Sequence, residues 1–450
     1  MARSTTEFVC GKCGNRSPRW LGRCPECGAW NQMQEQQAPS KKARGSRRKA
    51  PTVRPIRLDE VGKGDGEVRV KTGLGELDNV LGGGLVAGSL VLLGGDPGVG
   101  KSTLLLTALD HFARRGVPVL YVTAEESARQ VALRADRLGV SSDALLLLAE
   151  TQWSTVEAAA SSTKPRVVVI DSVQTMCVEE LDSVPGSVGQ VREVAHRAMR
   201  LAKTSSTAVL LVGHVTKSGV IAGPKVLEHL VDTVLSFEGD SNGALRILRT
   251  LKNRFGPTGE LGVFEMGDGG LVEVPDASAR MLSERAHDAA GTAVTAAIEG
   301  TRPLLTEVQA LVGEPGPQTP ARTCVGVDRT RVLMLTAVLQ KAGLQLQQSD
   351  VYVNAAGGLR LDEPSADLAI VAAIASSCLD RPIRQDTLMF GEIGLVGEIR
   401  GVSHAHLRLR EAARHGFRRA IVPRRCAEGA PPGIDVQPVS TVTEALDALL

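Results

Sequence analysis

The sequence predicts an α/β protein: a parallel-sheet core, a small cysteine module in front of it and a second α/β unit behind it. Three observations carry this. Four short apolar runs, SLVLLGG (89–95), VPVLYVTA (117–124), RVVVIDS (166–172) and TAVLLVGH (207–214), alternate with helix-like stretches, as strands buried on both faces of a parallel sheet do. Four of the eight cysteines fall within the first 27 residues. Residues 281–450 repeat the α/β alternation and are entered through the Gly/Pro-rich GEPGPQTP (313–320).

A chain of 450 residues is expected to hold two or three domains. With 43% hydrophobic and 23% charged residues, a disordered chain is excluded. The 52 basic and 50 acidic residues nearly cancel, so any nucleic acid must be held on local basic patches. At 3% aromatic residues, base stacking would be sparse. No signal-like apolar stretch opens the chain, and no run approaches the roughly 20 apolar residues of a membrane span, so a cytoplasmic protein without a membrane partner is expected. The divisions expected are a cysteine module over 1–31, a flexible linker over 32–56 containing KKARGSRRK (41–49), the core over 57–280 and the second unit over 281–450.

Residues 95–102 read GDPGVGKS and fill the pattern G-x-x-x-x-G-K-[ST]. A polyphosphate needs several backbone N–H groups converging on it, and glycines allow the turns that aim them. Gly95, Asp96, Pro97, Gly98, Val99 and Gly100 would form that cradle. Lys101 reaches the β- and γ-phosphates, the Ser102 hydroxyl ligates Mg2+, and Thr103 continues into a helix whose N-terminus favours the anion. The strand before the loop and the helix-like TLLLTALDHFARRG (103–116) after it, ending on a C′ glycine, give the context that a bare glycine-rich turn lacks. ATP with Mg2+ is the expected ligand.

Asp171 ends the third apolar run, where ligands of open α/β sheets gather, and is the expected magnesium carboxylate; an aspartate capping a turn is the alternative. In many P-loop ATPases the water-orienting carboxylate follows directly, but here Ser172 does, so that group must come from elsewhere. Glu125, ahead of Glu126 at the tip of the 117–124 run, is the candidate. Two acids favoured by a helix dipole are the alternative. His214 ends the fourth run as either a γ-phosphate sensor or a structural histidine.

Cys10-x2-Cys13-x10-Cys24-x2-Cys27 is two knuckles around a short spacer, the spacing of a Zn2+ site with thiolates about 2.3 Å from the metal. A piece of this size cannot bury enough surface to fold alone, so the metal would supply the folding energy. Four thiolates leave no open position, which makes the site structural; a redox dithiol is the rival. Trp20 and Trp30, with Arg19 and Arg23, form either a docking face or a miniature core.

The loop GDPGVGKS, the glutamate one strand away and the upstream TGLGELDNVLGGGLVAGS (72–89) together resemble the RecA-type ATPases. KNRFG (252–256), with the paired cysteine knuckles and a Lon-like C-terminal region, makes the resemblance one to the bacterial RadA (Sms) family over nearly the whole chain. The implied fold is a RecA-like parallel-sheet ATPase core with an N-terminal zinc module and a C-terminal Lon-peptidase-like α/β domain. The resemblance also implies a ring or filament of subunits with ATP at each interface, a ring of six being the expected form. Lys252 and Arg254 would then reach the neighbour's nucleotide and stabilise charge on its γ-phosphate; a basic turn before a strand is the alternative. It implies single-stranded and branched DNA as partners, a RecA-type recombinase as a further one, and ATP hydrolysis that drives branch migration in recombination and repair.

Loops facing a ring channel would fall at 178–197 and 214–229, where Arg192, Lys217 and Lys225 are the candidates for phosphate contact. LDEPSADLAI (361–370) resembles the Lon nucleophile segment with Ser365 on the serine position. His406 and Arg408 stand where Lon carries lysines, and no lysine follows Lys341. Arginine stays protonated and cannot serve as the base. The domain is therefore expected to be inactive as a peptidase, a Ser365–His406 pair being the alternative, with Arg408, Arg410, Arg414, Arg418, Arg419, Arg424 and Arg425 either as a basic surface for duplex DNA or as an ordinary solvated face. Competing readings are a zinc-bearing ATP switch, an autokinase acting on a protein partner and an ATP-dependent peptidase.

Overall fold

The computed structural model describes residues 6–10, 16–17, 19–31, 33–37, 69–214, 226–239, 245–283, 285–314 and 320–449. They fall into two units, 1–66 and 67–450. In the first, β1 (Thr6–Cys10) pairs with β2 (Arg16–Ser17) and with β3 (Met33–Gln37) in an antiparallel sheet. The module therefore extends past the boundary expected at 31. The sequence of β3, MQEQQ, lacks the apolar alternation that marks a half-buried strand. The rest of the expected linker lies outside the described residues.

The second unit opens with β4 (Arg69–Val70) and β5 (Leu85–Val86), paired on either side of α1 (Gly75–Val80). A nine-stranded sheet follows: β6 (Leu90–Gly95), β7 (Val119–Thr123), β8 (Leu145–Ala149), β9 (Val167–Asp171), β10 (Ala208–His214), β11 (Thr233–Gly239), β12 (Leu245–Asn253), β13 (Leu261–Gly267) and β14 (Gly270–Glu273). Its order is β14-β13-β12-β11-β6-β10-β9-β7-β8. The six strands from β11 to β8 are parallel, as the apolar runs require, and β12 to β14 add an antiparallel ribbon at one edge.

Between the parallel strands run α2 (Lys101–Arg114), α3 (Ala128–Arg137), α4 (Trp153–Thr163), α5 (Val188–Ser205) and α6 (Val226–Leu230). Successive residues of β6 point to opposite sides. Val91 and Leu93 pack with Leu105, Leu109 and Phe112 of α2, while Leu90 and Leu92 pack with Trp153 and Val156 of α4 and Val194 of α5. Burial on both faces explains why these strands read as continuous apolar runs.

After α7 (Ala277–Leu282) comes a seven-stranded sheet: β15 (Thr292–Glu299), β16 (Arg302–Gly313), β17 (Arg322–Val325), β18 (Asp350–Ala355), β19 (Thr387–Met389), β22 (Arg419–Pro423) and β23 (Asp435–Val439). It is ordered β17-β18-β16-β15-β19-β22-β23, with the small β20 (Glu392–Ile393) and β21 (Ile399–Arg400) hairpin beside it. Its helices are α8 (Arg329–Lys341), α9 (Asp367–Leu379), α10 (Ala405–Arg414) and α11 (Val442–Leu449). Two expected limits move. A division at 280 cuts through α7, and the Gly/Pro-rich stretch lies between β16 and β17, inside the second sheet rather than at its approach.

The two sheets share a core in which Ile247, Val263 and Met281 pack with Leu304 and Leu359. Arg302 pairs with Glu76 at 2.8 Å, and Arg249 with Glu299. At the joint two glycine turns meet backbone to backbone. Gly300 has φ +61°, and a Cβ on it would lie 2.3 Å from the Gly259 carbonyl oxygen. Gly300→Ala is expected to destabilise the unit by about 1–3 kcal/mol, because both the left-handed backbone and the contact reject a side chain. A thermal melt should show a Tm lower by a few degrees; an unchanged Tm would mean that the joint yields.

Candidate nucleotide site

The loop after β6 has the backbone that its glycines permit. Gly98 has φ +80°, and Gly100, which caps α2, has φ +112°. Gly95 runs so close to β11 that a Cβ would meet the Phe237 carbonyl oxygen at 2.4 Å. Asp96, Pro97 and Gly98 are exposed, while Val99 and Lys101 are buried. Lys101 Nζ donates to the carbonyls of Gly95 at 2.8 Å and Asp96 at 2.9 Å. Burial lowers its pKa, opposed by the charges of Asp171, Glu125 and Asp96.

Asp171, at the C-terminal end of β9, accepts hydrogen bonds from the Ser102 hydroxyl and from the Tyr121 hydroxyl at 2.6 Å. A hydroxyl and a carboxylate held together beside a phosphate cradle form the donor set expected for Mg2+. Tyr121 is buried on β7, and burial and the neighbouring Asp171 raise its pKa well above the usual phenol value. It therefore stays protonated and donates, which orients the carboxylate. Sequence reasoning passed over Tyr121; its one signal was rarity, as one of two tyrosines in the chain.

Of the two acids after β7, Glu126 pairs with Arg134 at 2.5 Å. Glu125 instead accepts from the Ser172 hydroxyl, and its charge acts on Lys101. Lys101, Ser102, Thr103, Asp171 and Glu125 thus meet at one edge of the sheet. His214 is in register with Gly95 at the same edge.

Lys252 and Arg254 lie at the opposite edge. Asn253 pairs with Thr233 of β11, which pairs with Val91 near the start of β6, so the run of β6 from Val91 to Gly95 separates them from their own loop, about 13 Å at roughly 3.3 Å per residue. Lys252 Nζ donates to the carbonyls of Glu228 at 2.6 Å and Val231 at 2.8 Å. Its pKa is lowered by burial and then by Arg254. Arg254 is 56% exposed and donates to Asp232 Oδ1 at 3.1 Å. Lys252 lies near the end of β12 and Arg254 opens the turn that leads from β12 to β13.

In the N-terminal unit, Cys24 and Cys27 bracket a tight turn closed by Gly28 N–H donating to the Cys24 carbonyl at 2.9 Å. Two thiol groups on such a turn suit a tetrahedral metal. Cys10 ends β1, and Cys13 lies outside the described residues. Trp20 and Trp30 are exposed rather than buried in a miniature core, with Arg23 stacked over Trp30. Arg192 is exposed on α5. Lys217 and Lys225 lie outside the described residues.

Ser365 is buried in a short turn before α9 and accepts from Arg408 Nη1 at 3.0 Å. Arg408 is no part of a basic surface. It is fully buried, donates to the Ala296 and Ser403 carbonyls and pairs with Glu363. A guanidinium can be buried when its donors are all matched. Arg419 is also tied down, to Gln437 and the Ala448 carbonyl. Arg410, Arg414, Arg418, Arg424 and Arg425 are exposed, with Arg414 paired to Asp276. His406 is exposed on the same helix.

Tyr121→Phe removes the donor that orients Asp171 and leaves the ring. The Mg2+ concentration for half-maximal ATP turnover should rise about tenfold, the loss typical for an outer-shell partner, while the melting profile changes little. A titration unchanged from wild type would remove Tyr121 from the site.

Residues 65–220 match the model of an AAA domain, residues 8–35 that of a rubredoxin metal binding domain and residues 318–426 that of the subunit ChlI of Mg-chelatase. The chain is 49% identical to the DNA repair protein RadA of Bacillus subtilis, covering 99% of each chain. It is 49% identical to the protein of that name from Pseudomonas aeruginosa, covering 100% of each. Among solved structures, a KaiC-like protein from Pyrococcus horikoshii is 21% identical, with 47% of this chain and 100% of that one covered and a TM-score of 0.41. The fold is a RecA-like ATPase core, preceded in sequence by a metal-binding ribbon and followed by a Lon-like domain, and the chain belongs to the family of the bacterial DNA repair protein RadA.

Proposed function

We propose that this chain is a DNA-dependent ATP motor of recombination and repair. It forms a ring, of six subunits, on single-stranded DNA in the cytoplasm and drives branch migration of recombination intermediates, with a RecA-type recombinase as partner. The observation that carries this is the position of Lys252 and Arg254. They are too far from their own loop to touch its nucleotide, so cations with a role in hydrolysis must serve a neighbour. Lys101 then neutralises the β- and γ-phosphates, Ser102 and Asp171 hold Mg2+, and Glu125 orients the attacking water. Zn2+ on Cys10, Cys13, Cys24 and Cys27 folds the N-terminal module. Arg192, Lys217 and Lys225 contact DNA phosphates. The relatives' name, DNA repair protein, supports DNA as the partner.

Among the described residues the side chain hydrogen-bonded to Ser365 is the guanidinium of Arg408, which does not deprotonate, and this supports a domain inactive as a peptidase. The domain acts as a retained scaffold.

ATP hydrolysis should rise with single-stranded DNA and vanish in Lys101→Ala. Arg254→Ala should also lose turnover while still binding ATP. Mixing these two inactive variants should restore part of the activity, since a Lys101→Ala subunit carries an intact Arg254 for its neighbour's intact loop. No recovery on mixing would assign Arg254 to its own subunit. A rate indifferent to DNA would point instead to an ATP switch or an autokinase.

A further inference from the structure

Arg254 and the P-loop of the same subunit are joined by one carboxylate. Asp232 lies just before β11 and is nearly buried, its side chain 5% exposed. Its Oδ1 accepts from Arg254 Nη1 at 3.1 Å. Its Oδ2 accepts from Lys203 Nζ at 2.9 Å and from the backbone N–H of Leu90, the first residue of β6, at 3.0 Å. A second link runs through the backbone, where Arg254 N–H donates to the Asp232 carbonyl at 3.1 Å. Burial raises the pKa of Asp232, but the bonds from Lys203, Leu90 and Arg254 outweigh it and hold the pKa below the ordinary value, so the group stays charged. A carboxylate that is buried, charged and fully bonded is a fixed anchor, whereas the guanidinium that it holds is 56% exposed and faces outward.

We propose that Asp232 is a positioning residue, which holds Arg254 in the pose that meets a neighbour's γ-phosphate and ties that pose to the strand carrying this subunit's own P-loop. The proposal rests on the trans reading of Arg254. The route has three steps: Arg254 to Oδ1, Oδ2 to the N–H of Leu90, and β6 to Gly95. β6 is buried on both faces among packed side chains, so it transmits a displacement along its axis rather than absorbing it. A change at the neighbour's phosphate thereby reaches the next loop in the ring.

The two oxygens have separate duties, so an isosteric change can divide them. In Asp232→Asn the amide oxygen can face Leu90 and Lys203, and the NH2 then faces Arg254, to which it cannot bond. Expected is a fall in kcat of about 10- to 100-fold, the scale of a misplaced catalytic group, with the KM for ATP nearly unchanged and a Hill coefficient for ATP that drops toward one. Mixing Asp232→Asn with Lys101→Ala should restore turnover, because the Lys101→Ala neighbour supplies a correctly held Arg254.

Lys203→Met removes the other cation and should leave kcat as it was. A loss there equal to that of Asp232→Asn would make Asp232 merely a counter-charge and overturn the proposal, whether or not Asp232→Asn folds. Wild-type turnover in Asp232→Asn, with Arg254→Ala inactive, would overturn positioning and leave the trans reading in place. An Asp232→Asn defect that mixing does not repair would assign the residue to its own P-loop. Retained turnover in Arg254→Ala would overturn the trans reading itself.

Discussion

The central strand β6 is held at both ends by charge and on both faces by apolar packing. A two-sided buried strand cannot slip by one residue without moving every side chain into the wrong core, so its register is fixed as strongly as anything in the molecule. At its C-terminal end this register delivers Gly95 against the Phe237 carbonyl and starts the phosphate loop. At its N-terminal end Leu90 meets the carboxylate that holds Arg254. The position of the phosphate loop and that of Arg254 both depend on this one placement.

The parts of the site that could be read from the sequence are those in which chemistry and local geometry coincide. GDPGVGKS needs only its own glycines and the following helix, and Asp171 needs only to end a strand. Glu125 could be chosen over Glu126 only by position; the structure separates them because Arg134 occupies Glu126. Tyr121 and Asp232 were not legible. Each acts through a partner 50 or more residues away, on Asp171 and Leu90 respectively, and such pairings have no local pattern.

Arg408 shows the converse error. In α10 three arginines at 408, 410 and 414 look like a solvated helix face, and two of them are. The third points inward because the segment around Ser365 offers it a hydroxyl and the Glu363 carboxylate, while β15 and the loop before α10 offer the carbonyls of Ala296 and Ser403. A lysine has only three donors on a rotatable head, whereas the planar fork of arginine can satisfy all of these acceptors at once. The chain thus places a permanent cation in the interior at Arg408. The strand Met33–Gln37 was missed for a simpler reason, since one methionine followed by four polar residues carries no sign of which face is covered.

The meeting of Gly259 with Gly300 has a mechanical meaning. At that point main chain meets main chain with no rotamers to adjust, and the flanking pairs Arg302–Glu76 and Arg249–Glu299 block sliding in the plane. The C-terminal sheet therefore behaves as an outrigger bolted to the ATPase core rather than as a passenger on a tether. Any rocking of the core is carried outward to a larger radius, where a small angle becomes a long stroke. The joint makes the C-terminal sheet a stiff arm.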